Sequence, residues 1–413
     1  MASAGNRAEQ RSVLIIVENL PSPFDRRVWQ EATTLHANGY QVAIICPTGK
    51  GYEARYEELD GIHIYRYKLP MEAEGALGYA IEYSAALFHS SRLAWKVLLR
   101  HGFDVIHACN PPDLLFLVGG FFKFVLGKRF LFDHHDINPE LYEAKFGRRD
   151  FFYKLMVWLE RLSFRTADVS IATNDSYKRI AIGRGGMDPD KVYVVRSGPK
   201  LDRLRVLPPV AALKQGRRFL VGYVGVMGAQ EGIDLLLQSV RVLVHEMGRR
   251  DVHFGLVGGG TSLEEMKALA RDLGVADYVT FTGRVPDQQL LEMLNTADVC
   301  VNPDVANEMN DKSTMNKIME YMALGKPIVQ FDLTEGRVSA QEASLYAAKN
   351  DPVDMAVKIV ELLDDPERRA RMGTYGRNRV VNELEWEYEA PKLLAAYERL
   401  YSAPELILEK DNP

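Results

Sequence analysis

The sequence contains few cysteines, and their spacing fits neither a metal site nor a redox motif. Among its 413 residues are three cysteines, Cys46, Cys109 and Cys300, which form no CxxC pair and no Cys/His ligand spacing. Cys46 and Cys300 lie within apolar, strand-like runs, as is typical of buried thiols in a reducing compartment. We therefore expect a cytoplasmic protein.

Long apolar runs are also absent. No segment reaches the ~18 apolar residues that a membrane-spanning helix requires. The nearest, residues 114–126, is interrupted by Lys123. The first eleven residues are polar and lack the apolar centre of a signal peptide. We expect a protein that is not embedded in a membrane, although peripheral contact with one stays open.

An excess of positive charge is absent as well. The formal net charge is -5, whereas nucleic-acid-binding proteins normally carry a basic footprint. The sequence also contains no GxSxG, P-loop or HExxH motif. Its hydrophobic content of 47% and charged content of 26% are those of a globular protein, and its length suggests two or three domains.

What the sequence does contain is a regular alternation of apolar runs and helical segments. The runs are continuously apolar, which indicates parallel strands covered on both faces. In the first half of the chain they are 12–17, 40–47, 104–109, 129–135 and 168–173. A Pro-rich polar stretch over 206–218 precedes a second series, which is 219–226, 252–260, 278–285, 298–304 and 326–332. The pattern predicts two doubly wound α/β domains, over 1–200 and 201–385, and a helical tail over 386–413.

The segment STMNKIMEYMALGKPIV, residues 313–329, is unusually polar for a helix that leads into a buried strand. Ser313 or Thr314 can cap the free N–H groups of the first turn. Lys317, one turn further, places a cation where the helix dipole disfavours one unless an anion lies nearby. An ion pair between Lys317 and Glu320 is one explanation. A phosphate group bound at the helix N-terminus explains the caps and the cation together, and we favour it.

Two other motifs each allow two interpretations. The glycines of GYVGVMG, which include Gly225, follow an apolar run, and either close approach to a ligand or a tight turn explains them. In DHHDINPE, His134 and His135 face opposite ways because strand side chains alternate, which disfavours a two-histidine metal site. One of them is placed for a ligand crevice at the strand end, or it is bonded structurally to an aspartate. The DPD sequence at 188–190 fits a turn better than a metal site.

In order and spacing, these segments resemble the family-four retaining glycosyltransferases (glycosyltransferase group 1) of the GT-B fold, and the resemblance covers nearly the whole chain. In the first half it is carried by RRVWQEATTLHANGYQVAII, DVIHA and ADVSIATNDS. In the second half it is carried by GIDLLLQSV, VTFTGRVPDQQLLEMLNTADVCVNPD and EYMALGKPIV. The resemblance implies two Rossmann-like domains facing a central cleft, the first for an acceptor and the second for a nucleotide sugar. It also implies that the final helix crosses back to the first domain.

The resemblance assigns roles by position. Glu320 is expected to bind the donor ribose hydroxyls, the helix at Ser313 to point at the diphosphate, and the main chain around Arg284 to hold the base. His135 matches the active-site histidine, and the segment Phe24-Asp25-Arg26 lies where the first loop lines the cleft. The candidate catalytic residues are His135, Asp25 and Lys317. The candidate donor-binding residues, with no metal ligand among them, are Gly225, Gly283, Arg284, Val285, Ser313, Thr314, Asn316, Lys317 and Glu320.

The sequence departs from the family pattern at three places. Lys312 stands where a second glutamate is common, and PSPFDRR replaces the usual double glycine of the first loop. The usual arginine and lysine that clamp the diphosphate are replaced by Val226 and Glu231. We therefore interpret Lys317 as a relocated source of positive charge for the leaving diphosphate.

The resemblance implies transfer of a hexose or N-acetylhexosamine from a nucleoside-diphosphate sugar, with UDP-sugar favoured, to a glycan hydroxyl with retention at the anomeric carbon. No cofactor is expected, and the acceptor would be a glycan on a polyprenyl-diphosphate carrier used in cell-surface polysaccharide synthesis. Two alternatives stay open: a nucleotide-sugar epimerase and a catalytically silent partner subunit of the same fold.

The helical segment 151–165 suggests where a membrane would touch. Its stripe of apolar residues fits either a core-facing helix or an interfacial helix, with a basic face formed by Lys154, Arg161 and Arg165. The apolar segment 114–130 adds two more basic residues nearby. We expect peripheral association with the cytoplasmic face of the inner membrane.

Overall fold

The computed structural model describes residues 11–69 and 75–402. The chain divides into two compact units, one formed by Met1–Arg196 with Glu389–Pro413 and the other by Ser197–Tyr388. Each unit is built around its own parallel sheet with helices on both faces, so the predicted doubly wound α/β class is confirmed.

The first unit contains an eight-stranded sheet in the order β3-β4-β2-β1-β5-β6-β7-β8. Its strands are β1 (Ser12–Val17), β2 (Gln41–Pro47), β3 (Tyr56–Leu59), β4 (Ile62–Tyr67), β5 (Val105–Cys109), β6 (Arg129–His134), β7 (Val169–Ala172) and β8 (Val192–Val194). Its helices are α1 (Arg26–Ala37), α2 (Gly75–Arg100), α3 (Phe116–Leu126), α4 (Asn138–Phe146), α5 (Phe151–Thr166) and α6 (Asp175–Gly183).

The central strands of this sheet are apolar because both of their faces are covered. Every residue of β1 is buried, and β1 pairs in parallel with β2 and β5. Helix α1 turns Val28, Ala32 and Leu35 into the core, as their helical spacing predicts. The hairpin of β3 and β4 was not predicted, because β3 reads YEEL, without an apolar run, and pairs antiparallel at the sheet edge.

Helix α5 buries its apolar stripe only in part. Its fully buried residues are Glu160, Ser163 and Phe164. Of the stripe, Leu155, Met156, Leu159 and Leu162 are half-buried, whereas Phe151 and Phe152 at the start of the helix are exposed. The core-facing interpretation therefore holds in part for the later residues of the stripe and fails for the first two.

The second unit contains a fully parallel six-stranded sheet in the order β11-β10-β9-β12-β13-β14. Its strands are β9 (Phe219–Val224), β10 (Val252–Val257), β11 (Val279–Gly283), β12 (Val299–Asn302), β13 (Ile328–Phe331) and β14 (Ser344–Ala347). Its helices are α7 (Ile233–Arg241), α8 (Leu263–Asp272), α9 (Asp287–Thr296), α10 (Glu308–Lys312), α11 (Asn316–Ala323), α12 (Thr334–Ala340), α13 (Pro352–Asp364) and α14 (Pro366–Arg379).

The last helix, α15 (Trp386–Ser402), covers the first part of the predicted tail over 386–413, whose residues 403–413 lie outside the described residues. From Glu389 onward this helix belongs to the first unit. There Tyr397 is buried, and its hydroxyl lies 2.8 Å from His107 Nδ1 on β5. Within residues 11–69 and 75–402, none of the helices combines the length and apolar character needed to cross a bilayer.

In both sheets the strand order reverses at one point. In the first unit the chain continues from β1 to β2 on one side and later to β5 on the other. In the second unit β9 has β10 on one side and β12 on the other. Open α/β sheets bind ligands in the crevice at the carboxyl ends of the strands that flank such a reversal. The residues after β1, β5, β9 and β12 are therefore the first places to look for a site.

Candidate functional site

In the second unit, the loops that follow β9 and β12 bring three charged side chains together. Lys317 of α11 extends its ammonium group to Asp304, which follows β12, with Nζ 2.8 Å from Oδ1. The same ammonium group contacts the carboxylate of Glu231 in the loop after β9. Tyr223 completes the cluster by donating its hydroxyl to Glu231 at 2.7 Å, and its ring centroid lies 5.0 Å from the ammonium nitrogen.

Burial sets the charge balance of this triad of Lys317, Glu231 and Asp304. Burial alone would lower the pKa of Lys317, but the charges of Asp304 and Glu231 raise it above its ordinary value, so the ammonium form is stable. Burial raises the pKa of Asp304 to about 7, and Lys317 only partly opposes that rise. The ammonium charge is thus largely matched by two carboxyl groups. The proposal that Lys317 supplies a free charge to a diphosphate stays a prediction.

The helix that carries Lys317 begins later than the sequence suggests. Helix α11 starts at Asn316, and its N-cap is Met315, whose side chain makes no capping hydrogen bond. Ser313 closes α10, with its hydroxyl donating to the Met309 carbonyl at 2.8 Å. Neither Ser313 nor Thr314 occupies the N-cap position of α11, and the role predicted for them at its N–H groups stays a prediction.

The predicted glycine and base-binding positions all lie at the carboxyl edge of the sheet. Gly225 follows β9, and its missing side chain is required within the protein, since a Cβ there would lie 2.2 Å from the Tyr223 hydroxyl oxygen. Gly283 has a φ of 66° at the end of β11, which favours glycine. Arg284, which follows it, is exposed, and Val285 is half-buried. Gly225 is thus required by its close approach to the Tyr223 side chain, and its contact with a ligand stays a prediction.

Glu320 lies one turn beyond Lys317 on α11. Its carboxylate contacts the Arg203 guanidinium group, which also lies 3.6 Å from Asp287. The Glu320 side chain is 15% exposed, so part of the carboxylate faces outward. The Lys317–Glu320 ion pair considered from the sequence is not among the contacts of either side chain, because each has a different partner. Asn316, at the helix start, is exposed.

A cavity of about 440 Å³ lies in the same unit between the loop after β9 and helix α8. Its walls include the carboxyl groups of Asp234, Glu265 and Asp272. Three acids would repel a diphosphate, so this cavity does not match the donor chemistry, and we do not assign the donor to it.

In the first unit, the candidate catalytic residue His135 follows β6 and belongs to a buried charged cluster. Its Nε2 lies 2.5 Å from Asp133 Oδ2 and 3.0 Å from Arg27 Nε. Arg27 pairs with Asp133 at 2.9 Å and donates a further hydrogen bond to the Val195 carbonyl at 2.8 Å. His135 Nε2 thus faces both a carboxylate oxygen of Asp133 and the Nε–H of Arg27, and these two contacts hold the imidazole in place.

The charges of the cluster are nearly balanced. Burial alone would raise the pKa of Asp133, but Arg27, His135 and His107 together hold it well below its ordinary value. Burial raises the pKa of Glu31 well above its ordinary value, so that its carboxyl group favours the neutral form beside Arg27. Burial also lowers the pKa of His107, whose imidazole is therefore neutral. Asp133 and Arg27 carry the permanent charges that hold His135.

The sequence identified His135 as a candidate but not most of the residues that hold it in place. Arg27, Glu31, Asp133 and His107 come from three separate elements, α1, β6 and β5. The available signal was the spacing of Arg27 and Glu31, four residues apart on a helix and 3.1 Å apart in the structure. Asp25 lies just before them as the N-cap of α1, accepting from the Val28 N–H at 3.1 Å. A catalytic role for Asp25 stays a prediction.

His134 points away from His135, as alternation along a strand requires. It is fully buried, its ring lies 5.1 Å from the rings of both Phe164 and Tyr177, and its Nε2 is 3.3 Å from Glu160. His134 is thus a core residue, whereas the His135 side chain is 14% exposed.

One group in this cluster has the atoms of a metal site. Donor atoms of Glu31, Cys109, Asp133 and His135 lie within 4.8 Å of one another. The Arg27 guanidinium group, however, pairs with both Glu31 and Asp133. A metal cation would have to displace that buried positive charge, so the donor set does not fit a resident metal.

Comparison with known proteins matches both units to one family. Residues 25–203 match the family model described as Glycosyltransferase Family 4, and residues 218–365 match the one described as Glycosyl transferases group 1. D-inositol 3-phosphate glycosyltransferase from Thermomonospora curvata is 29% identical over 252 residues, which cover 56% of this chain and 57% of that protein. The chain thus spans little more than half the length of this curated relative.

Two solved structures have the same fold over nearly the whole chain. Sucrose-phosphate synthase from Thermosynechococcus elongatus superposes with a TM-score of 0.78 at 19% identity, covering 95% of this chain and 100% of that one. Anabaena HepE in complex with UDP-glucose superposes with a TM-score of 0.70 at 14% identity, covering 94% of this chain and 99% of that one. The two family matches place the chain among the family-four, group 1 glycosyltransferases, and the two superpositions show that it has the GT-B fold.

Proposed function

We propose that this protein transfers a hexose or N-acetylhexosamine from a nucleoside-diphosphate sugar to a glycan hydroxyl, with retention at the anomeric carbon. The observation that carries the proposal is the Lys317–Glu231–Asp304 triad at the strand-order reversal of a unit matching the group 1 family. Anabaena HepE, one of the structural neighbours, was solved in complex with UDP-glucose, which supports a UDP-sugar as the donor here.

The residues divide the work between binding and chemistry. Glu320 offers carboxylate oxygens that can accept two hydrogen bonds from the donor ribose. The N-terminus of α11, which begins at the exposed Asn316, offers backbone N–H groups and partial positive charge to the diphosphate. His135, held by Asp133, stabilises the transferred sugar through its accessible imidazole. Catalysis then consists mainly of positioning and charge stabilisation.

The donor assignment is tested by thermal shift with UDP-, GDP-, dTDP- and ADP-sugars. One of them is expected to raise the melting temperature by mass action. Glu320→Ala is expected to lower the affinity for that donor by about 10- to 100-fold, since a hydrogen bond to a charged group contributes about 1.5–3 kcal/mol. Glu308→Ala, which removes an exposed carboxylate from α10, serves as the matched control.

Two results would count against this assignment. Unchanged nucleotide affinity in Glu320→Ala would remove the ribose role. Release of free nucleotide by the wild-type protein with no glycosylated product under any acceptor condition would favour the epimerase, and binding without turnover would favour the silent subunit.

We further propose that the enzyme works on a lipid-linked acceptor, such as a polyprenyl-diphosphate glycan used in cell-surface polysaccharide synthesis, while attached to an anionic membrane. The support is an apolar outer surface on helices α3 and α5, which we call the α3–α5 face. Lys123 Nζ bonds the Thr166 carbonyl at 2.8 Å and joins the two helices. The exposed residues of this face, between 45% and 71% exposed, are Leu117, Phe121, Phe124, Phe151, Phe152 and Trp158.

The charges around this face fit anionic lipid headgroups. Arg148 and Arg149 directly precede α5, with side chains 61% and 52% exposed. Lys154, Arg161 and Arg165 are exposed along α5 itself. Aromatic side chains bordered by cations are typical of surfaces that lie in the membrane interface.

Liposome flotation tests this surface. The wild-type protein is expected to float with anionic vesicles at low salt and to bind less at 1 M salt, where the screening length falls to ~3 Å. Phe124→Ser combined with Phe151→Ser is expected to reduce binding by about tenfold or more, given roughly 1.5–3 kcal/mol for burying each side chain. Val353→Ser, which alters an exposed apolar residue of the second unit, is the control. Wild-type protein that stays at the bottom at both salt concentrations would contradict the membrane proposal.

A further inference from the structure

A second group of buried polar side chains lies beside the end of β1 and takes no part in the chemistry above. Glu18, directly after β1, is 4% exposed, and its Oε1 has no hydrogen-bond partner within the described residues. The same holds for the buried hydroxyl group of Ser22, whereas the buried hydroxyl groups of Tyr67 and Ser90 lie within hydrogen-bonding reach of each other. Because buried polar groups almost always have partners, such a concentration calls for a missing one.

These side chains come from three elements that meet at the sheet edge. Tyr67 ends β4, and the charge of Glu18 adds to the effect of burial in raising the pKa of its phenol. Ser90 of α2 lies beside that phenol, and His89 of α2 stacks on its ring with centroids 5.3 Å apart. His89 Nδ1 is also buried without a partner. We call Glu18, Tyr67, His89 and Ser90 the Glu18 cluster.

The position of the cluster is that of a ligand site. Glu18 follows the strand at which the sheet order of the first unit reverses, on the carboxyl side of the sheet. Ligands of doubly wound sheets bind there. Helix α2 contributes His89 and Ser90 to the cluster. A ligand would therefore meet hydrogen-bonding groups from several elements.

The chemistry of the cluster selects among ligands. Its groups are hydroxyls, one imidazole and one carboxyl group. Burial raises the pKa of that carboxyl group, Glu18, to about 7, and the negative charge of Glu82 on α2 adds to the rise. The Arg66 guanidinium group is already bonded to the Ser22 carbonyl at 2.7 Å and to Glu57 at 2.8 Å. A phosphate would meet the carboxyl groups of Glu18 and Glu82, and an apolar group would leave the buried atoms of Glu18 and His89 unpaired. A sugar ring can donate to and accept from each of them.

We propose that the Glu18 cluster binds the hydroxyl groups of a neutral sugar residue in the acceptor. This inference rests on the proposed transferase function and names residues that choose its acceptor. In this arrangement the protonated Glu18 carboxyl group donates a hydrogen bond to a sugar oxygen. The hydroxyl groups of Tyr67 and Ser90 form hydrogen bonds with neighbouring sugar hydroxyls.

The test uses octyl glycosides of glucose, galactose, mannose and N-acetylglucosamine as acceptors, with the donor selected by thermal shift. Tyr67→Phe is expected to raise the acceptor KM by about five- to tenfold, the usual effect of losing one hydrogen bond. Tyr65→Phe removes another buried hydroxyl of β4, bonded to His101, and is expected to leave the KM unchanged. Donor hydrolysis without acceptor should be the same in all three proteins.

A pH profile separates binding from a structural role. Above pH 7 the Glu18 carboxyl ionises, so the wild-type acceptor KM should rise about tenfold between pH 6 and pH 8. Glu18→Gln keeps the shape and a donor group, so its KM should match the wild-type value at pH 6 and stay flat. Among the neighbouring groups, burial lowers the pKa of His89 and raises those of Tyr67 and of Cys46, the latter to about 11.

The outcomes distinguish this inference from the transferase proposal itself. Absence of any nucleotide-sugar cleavage would undo the transferase proposal, and saturation-transfer NMR with the same glycosides would then test the cluster directly. Two results with normal donor cleavage would overturn the inference and leave ordered water as the occupant of the cluster. In the first, Tyr67→Phe does not change the acceptor KM. In the second, the wild-type protein neither glycosylates nor binds any of the glycosides.

Discussion

Replacement of Lys317 by methionine is expected to lower the stability of the protein by about 3–5 kcal/mol, the usual result of removing one partner from a buried ion pair. The substitution leaves Asp304, whose side chain is 1% exposed, and Glu231 facing each other without the ammonium group between them. In a domain of this size the melting temperature should fall by about 6–12 °C or more. Thermal unfolding followed by circular dichroism measures this.

A neighbouring lysine provides the matched control. Lys312 pairs with Glu308 on the surface of α10, and its loss should cost about 1 kcal/mol or less. If Lys317→Met had the melting temperature of the wild type but a lower turnover, the triad would contribute little to stability. That result would favour the hypothesis that Lys317 supplies positive charge to the leaving diphosphate. Turnover measured well below the melting point separates these two roles.

His135→Ala is expected to reduce turnover by about 100-fold or more, the effect of removing a group that acts at the reacting centre. The fold should hold, because the imidazole is partly exposed and Asp133 keeps Arg27 as its partner. The measurements are initial rates of sugar transfer together with the melting temperature.

His134→Ala should show the reverse pattern. Its ring is fully buried between two aromatic rings, so its loss should cost about 2–4 kcal/mol of stability through the cavity it leaves. The rate per folded molecule should change little. Equal losses of activity in the two variants would show that the assignment of opposite faces is wrong.

The local sequence determined the strands and the fold class. Strands buried on both faces must be apolar at every position, so runs such as those of β1 and β9 are visible without any knowledge of their neighbours. The hairpin of β3 was missed because an edge strand needs no apolar run. The start of α11 was misplaced because chain direction between two short helices depends on packing, not on which residues can cap.

Only the tertiary structure decided what each polar side chain contacts. Arg27 forms a hydrogen bond with Asp133, which is 106 residues away in the sequence, and Lys317 forms one with Glu231, which is 86 residues away. Glu160 of α5, a carboxylate that no hydropathy pattern predicts to be buried, is likewise buried beside His134 and Arg184. Sequence patterns reveal burial, because burial imposes a local period on hydrophobicity. Partnership between charges depends on strand order, which brings distant segments to the same edge of a sheet and has no local period.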